Sequence, residues 1–190
     1  NHPSAEHYIT DVYDVCPRLA TRDRPVAHLH ASPECTHHCL AAGGQARSTT
    51  SRSQSWVILK WAGQVSPRII TMENVVQILQ WGPLIAKRCL KTGRVVRRDM
   101  TVAAAGERVP VQEQYLVPDP KRKGQTWRRF ESLLRAMGYD LMYRKLKACD
   151  FGAATTRERL FKIARRDGQP LRWPEPTHFK NPGKGQLPYR

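Results

Sequence analysis

The run RIITM at 68–72 constrains the chain most. Ile69, Ile70 and Thr71 are successive β-branched residues behind Pro67, which predicts a buried strand. It delivers Glu73-Asn74-Val75 at its C-terminal end. A second short apolar run, VAHLHA at 26–31, reads as another strand, and Ser32-Pro33 stops it. Glu34 and Cys35 follow at once. Helical spacing places Trp56, Leu59 and Gly63 on one side of a segment ending near Gln64, with Lys60 on the other. Strand, loop, helix, strand is the rhythm of an α/β layered domain. Such sheets gather their chemistry at the C-terminal strand ends, where Cys35 and Glu73 both fall.

Further along, a short helix is expected from Val76, broken near Gly82-Pro83. Residues 91–124 are polar and rich in turns, and PDPKRKG at 118–124 reads as a basic linker. The clearest helix is 125–138. Trp127, Phe130, Leu134 and Met137 share one face, and Gly138 makes a plausible stop. YDLMYRKLKA at 139–148 alternates like a strand with one wet face, and LFKIA at 160–164 predicts another. From Trp173 onward, Pro, Gly and Lys dominate, so residues 1–172 are expected to form one domain and 173–190 a linker.

The net charge of +16, from 32 Lys and Arg against 16 Asp and Glu, favours a polyanionic partner, nucleic acid first. A hydrophobic content of 40% argues against wholesale disorder. Five cysteines at irregular spacing do not suggest a disulfide framework and fit reduced thiols in a cytosolic compartment. No apolar run approaches the roughly 20 residues of a membrane span. The chain starts Asn1-His2-Pro3, which reads as a cut or processed end.

Three groups carry chemistry. Cys35 is a candidate thiolate nucleophile beside a basic loop at 36–53, or else a small buried hydrophobe. Glu73 is a candidate acid at a strand end, or else a carboxylate stabilised at a helix N-terminus. Arg157 and Arg159 alternate on one side of an extended segment and can fork onto a base oxygen, a phosphate or a carboxylate, or else line a solvated edge. His28, His30, Cys35, His37, His38 and Cys39 crowd together, but no C-x-x-C and no finger-like second pair supports a metal.

With these residues in view, the chain resembles the cytosine-5 DNA methyltransferases of bacterial and phage type. ASPECTHHCLAAGG resembles the family's Pro-Cys motif and following loop. SPRIITMENV resembles its Glu-Asn-Val motif, and MGYDLMYRKLKACDFGAATTRERLFKIARRDG its Gln-x-Arg-x-Arg segment. WPEPTH at 173–178 also fits. Glu34 stands where the family usually has Pro, Thr155 where it has Gln, and Ala154 where it has Pro.

The resemblance implies a Rossmann-like S-adenosylmethionine-dependent methyltransferase sheet, truncated at both ends, with the glycine-rich cofactor loop upstream and target recognition downstream. It implies that Cys35 attacks carbon 6 of a flipped-out cytosine, that Glu73 contacts ring nitrogen 3 and the amine, and that Arg159, supported by Arg157, holds the carbonyl. Asn74 would organise the turn presenting Glu73. Asp11, Val12 and Pro33 would contact S-adenosylmethionine. Double-stranded DNA is the implied partner of a monomeric, cytoplasmic, bacterial or phage-encoded enzyme, with the isolated chain weakly active or inactive. The competing reading is a non-catalytic basic nucleic-acid-binding module, with zinc near Cys35 to Cys39.

Overall fold

A computed structural model describes residues 3–33 and 54–189. Its centre is a four-stranded sheet in the order β1 (His28–Ala31), β2 (Ile69–Asn74), β6 (Glu158–Arg165), β5 (Asp140–Lys147). β1 and β2 run parallel, and β6 is antiparallel to both β2 and β5. The parallel pair needs a crossover, which includes helix α2 (Val57–Val65). The antiparallel pair β5–β6 is joined by a short connection containing the 3₁₀ turn Ala148–Phe151. This is a mixed α/β fold, as the rhythm of the sequence predicts.

The sheet has two unlike faces because side chains alternate. One carries Ile70 and Met72 of β2 and Leu160 and Ala164 of β6, all buried. It packs on α2 and on α3 (Gln125–Ala136), whose Trp127, Phe130 and Leu134 are buried as their spacing predicts. Each such side chain contributes roughly 1.5–3 kcal/mol through burial. Trp56, Trp81 and Phe130 meet with ring centroids 5.3–6.3 Å apart. The end of α3 turns on Gly138 at φ +85°, and the buried Tyr139 hydroxyl then donates to the Pro67 carbonyl at 2.7 Å. That bond ties the α3 exit to the β2 entry. Lys162 is also on this face and buried, paired with Glu131 and 4.3 Å from the Trp127 ring centre. Burial pushes its ammonium down to about 8, against the opposing pull of Glu131.

Four local expectations differ. α2 buries Val57, Ile58 and Ala62, while Gly63 is exposed. Trp56 and Leu59 pack only against the edge of the core, because the surface that α2 must match is the sheet. The segment after Val75 is a 3₁₀ helix, Val76–Gln80, rather than an α-helix. Five residues before Gly82-Pro83 leave no room for a second α-turn. β5 is the sheet's edge strand, and most of both its faces are exposed. Finally, residues between Leu84 and Pro118 form a β-structured excursion. β3 (Leu84–Ala86) pairs antiparallel with β4 (Leu116–Pro118), and bridges Arg88–Val95, Val96–Val102 and Arg97–Gln114 extend it. Within 173–190, β7 (His178–Phe179) pairs with β8 (Leu187–Pro188). The short helix α1 (Pro17–Thr21) precedes β1.

Candidate base-binding site

The second sheet face carries Glu73 and Arg159. Register sets Glu73 opposite Phe161, and Leu146 opposite Arg159. Paired residues point to the same side, so these four converge. Near the C-terminal end of β2 they line a cavity of about 470 Å³ with Arg157, Phe151 and Pro174. Three of the four expected catalytic residues, Glu73, Arg157 and Arg159, therefore share one pocket. Cys35, the fourth, lies outside the described residues, as do His37, His38 and Cys39.

Within the pocket, Arg159 Nε and Glu73 Oε1 form an ion pair at 3.1 Å, and Arg159 Nη1 donates to the Glu158 carbonyl at 2.9 Å. Both side chains of the ion pair are roughly a quarter exposed, 22% and 27%. A guanidinium has five N–H donors in a fixed fork, and among the described residues Nη2 has no partner, so it can serve a ligand. Glu73 keeps an acceptor oxygen beside it. The pocket thus offers adjacent donors and an acceptor between the apolar walls of Phe161, Leu146 and Phe151. Arg157 is exposed at the rim. Its backbone N–H donates to the Thr155 hydroxyl at 3.3 Å, and its carbonyl accepts from Ala148 N at 2.9 Å. Thr155 therefore acts through its hydroxyl on the turn that starts β6.

Asn74 is 1% exposed. Its Oδ1 accepts from Val75 N at 2.9 Å, and its Nδ2 donates to the Pro33 carbonyl at 3.0 Å. One amide therefore shapes the turn after Glu73 and holds the chain leaving β1 against it. Val12 and Pro33 line a separate cleft of about 360 Å³ with Leu29, Val57, Ile58 and Trp61, between the end of β1 and α2. Lys60 holds that side by donating to the Tyr13 and Val15 carbonyls at 2.5 and 2.8 Å. Asp11 is exposed. Its carboxylate accepts from Tyr13 N at 2.9 Å and does not line the cleft. His28 and His30 both hydrogen-bond the Thr71 hydroxyl, at 2.7 and 2.9 Å.

Sequence reasoning missed the apolar walls and the support beneath Arg157. Phe161 was legible, standing two residues after Arg159 on one strand face. The support was not, because it comes from far along the chain. His178, 8% exposed, packs on Gly152, and Tyr189 donates to Asp150 at 2.6 Å. Gly152 has φ +87°, and a Cβ there would lie 2.7 Å from His178 Cε1. Gly152→Ala is expected to lower stability by about 2 kcal/mol from backbone strain and overlap together. Adding His178→Ala should relieve the overlap part, so the double variant should lose less than the sum of the singles. Urea unfolding midpoints of the three variants check this.

A family model of the C-5 cytosine-specific DNA methylases matches residues 119–187. That span includes α3, β5, β6 and both pocket arginines. No curated protein matches the chain. Among solved structures, an E. coli protein described as a prophage-encoded DNA modification methyltransferase superposes with TM-score 0.54 at 17% identity, over 86% of this chain and 34% of that one. The S. pombe Dnmt2 methyltransferase gives 0.45 at 18%, over 85% and 35%. The Entamoeba histolytica methyltransferase EhMeth gives 0.41 at 12%, over 96% and 47%. The first likeness shows the fold, and this chain spans only a third of that protein, 34%.

Proposed function

We propose, for a chain whose residues 119–187 match the family model of the C-5 cytosine-specific DNA methylases, that it contributes the base-handling half of a DNA cytosine-5 methyltransferase site. The carrying observation is the shared pocket of Glu73, Arg157 and Arg159. Cytosine presents a carbonyl acceptor, a ring nitrogen and an amine donor along one edge. Guanidinium donors beside a carboxyl group complement that edge, with Arg159 donating to the carbonyl and Glu73 accepting from the amine and sharing a proton with the ring nitrogen. Phe161 and Leu146 provide apolar walls for the ring.

Cys35 is tethered to Pro33 by two peptide units, a reach of about 7 Å. Pro33 is itself held to Asn74, the neighbour of Glu73. On this proposal Cys35, two residues on from Pro33 in the sequence, is the thiol that acts on the same base. The thiolate bonds carbon 6, and the ring electrons move to carbon 5, which becomes the nucleophile. Glu73 and Arg159 stabilise the charge that develops on the ring. After carbon 5 gains its methyl group, loss of its hydrogen as a proton restores the double bond and expels the thiolate. The target must leave the duplex for this to happen.

The cleft lined by Val12, Pro33 and Trp61 has an apolar shape suited to an adenosyl group. S-adenosylmethionine bound there would supply the methyl group. Among the cofactor contacts expected from the sequence, Val12 and Pro33 fit that cleft, and Asp11 stands outside it.

The adduct makes carbon 5 carbanion-like even without methyl transfer. Deuterium exchange at carbon 5 is therefore the test, on cytosine placed opposite an abasic site to remove the cost of flipping. Exchange that Cys35→Ser abolishes is expected. Exchange unaffected by Cys35→Ser would refute the nucleophile.

A further inference from the structure

The excursion between β3 and β4 is closed at its root and charged at its tip. At the root, Asp119 N donates to the Pro83 carbonyl at 3.0 Å and Thr126 N to the Trp81 carbonyl at 3.0 Å. Gly82 and Gly124 allow this pinch, because a Cβ on Gly82 would overlap the Arg122 carbonyl and one on Gly124 would lie 2.9 Å from the Leu79 carbonyl. Only the 3₁₀ helix Val76–Gln80 separates the root from the end of β2 that presents Glu73. At about 2 Å rise per residue, that is roughly 10 Å.

The tip is a tight hairpin. Cys89 N donates to the Arg94 carbonyl and Gly93 N to the Cys89 carbonyl, each at 2.8 Å, with Gly93 at φ +68°. It displays Leu90 at 103% relative exposure between Arg88 and Lys91, with Arg94 on the returning limb. Residues 84–98 contain six Lys and Arg and no Asp or Glu. Among the described residues, Arg88, Lys91 and Arg94 form no ion pair, and Arg88 donates only to the Gly93 carbonyl. A fully exposed leucine flanked by free cations on a narrow hairpin matches the chemistry of a duplex groove: phosphates for the cations, a base step for the apolar wedge.

We infer that the 88–94 hairpin is a DNA-binding finger. It grips the duplex phosphates near the flipped base and sets Leu90 into the groove. DNA as the partner rests on the methyltransferase reading, and the test separates the two. Binding of a fluorescent duplex by the whole chain is measured across salt concentrations for Arg88→Gln/Lys91→Gln/Arg94→Gln and for the equally charged control Arg18→Gln/Arg22→Gln/Arg24→Gln.

The hairpin variant should lower the slope of log affinity against log salt by about 2–3, at roughly 0.9 per lost phosphate contact, and weaken binding at least tenfold at 0.1 M salt. The control should keep its slope, and Leu90→Ala should weaken binding with the slope unchanged. Equal slope losses in both triples, an unchanged slope in the hairpin triple, no duplex binding by the unaltered chain, or tighter binding of duplex RNA would each overturn the finger. Hairpin-dependent binding without carbon 5 exchange would instead sink the methyltransferase reading and leave the finger standing. Unchanged circular dichroism shows that a variant still folds.

Discussion

Arg159→Ala is expected to slow carbon 5 exchange in cytosine by about 10²–10³-fold, the usual loss when one preorganised donor leaves a charge-developing site. The expectation follows from how the side chain is held. Glu73 pairs with the guanidinium at 3.1 Å, and the Glu158 carbonyl accepts from Nη1 at 2.9 Å. The guanidinium is therefore fixed before a base arrives, and its remaining donors can meet the carbonyl without reorganising. Alanine removes the donor and also leaves Glu73 without its cation. Lysine should recover little, because a point charge cannot span both anchors and still reach the base. Stability should fall by about 1–3 kcal/mol, since the pair is mostly buried and alanine leaves the Glu73 carboxylate unpaired. Mass spectrometry of the recovered nucleoside reads the exchange. Arg159→Ala exchanging at the unaltered rate would remove Arg159 from the site.

Asn74→Ala should have the largest effect on the fold for a change this small. The side chain is buried, and both ends of its amide are used. Alanine strands the Pro33 carbonyl and the Val75 N–H at about 1–3 kcal/mol for each group left unpaired. A loss of about 3 kcal/mol is expected, a fall in melting temperature of roughly 8 °C for a chain of this size. Asn74→Asp separates the two bonds. It keeps the acceptor for Val75 N but sets a buried carboxylate oxygen against the Pro33 carbonyl, so its melting temperature should fall at least as far as alanine's. It should also lose exchange activity as fully as alanine, because both variants break the bond that holds the Pro33 carbonyl to the end of β2. Equal stability of all three proteins would show that the amide does not tie the two strand ends together.

Much of this arrangement was legible in the chain. β2 announced itself through successive β-branched residues ending at Glu73, and α3 through Trp127, Phe130 and Leu134 on one face. The two arginines could be placed on one side of the extended segment leading into β6 from alternation alone. Their meeting with Glu73 required the register of β2 against β6, a non-local pairing that no window of sequence contains. The excursion stayed hidden for a related reason. Its root pairs β3 with β4, distant in sequence, while the bridges Arg88–Val95 and Val96–Val102 close short hairpins in polar, turn-rich sequence with no periodicity to mark them. The support from His178 and Tyr189 was masked by composition. A Pro- and Gly-rich stretch reads as a linker, yet His178 is buried against a glycine whose missing side chain makes the space.

The central claim is that Cys35 and the Glu73–Arg159 pocket act on one cytosine. Its most direct test uses a duplex with 5-fluorocytosine at the target, incubated with S-adenosylmethionine and a protein containing residues 1–190. Fluorine in place of the carbon 5 hydrogen blocks the final elimination, so the thiol stays bonded to carbon 6. Peptide mapping should find the nucleotide on Cys35, with no adduct in Cys35→Ser and a much reduced yield in Arg159→Ala. An adduct on Cys16, Cys89 or Cys149, or methyl transfer that continues in Cys35→Ser, would contradict it.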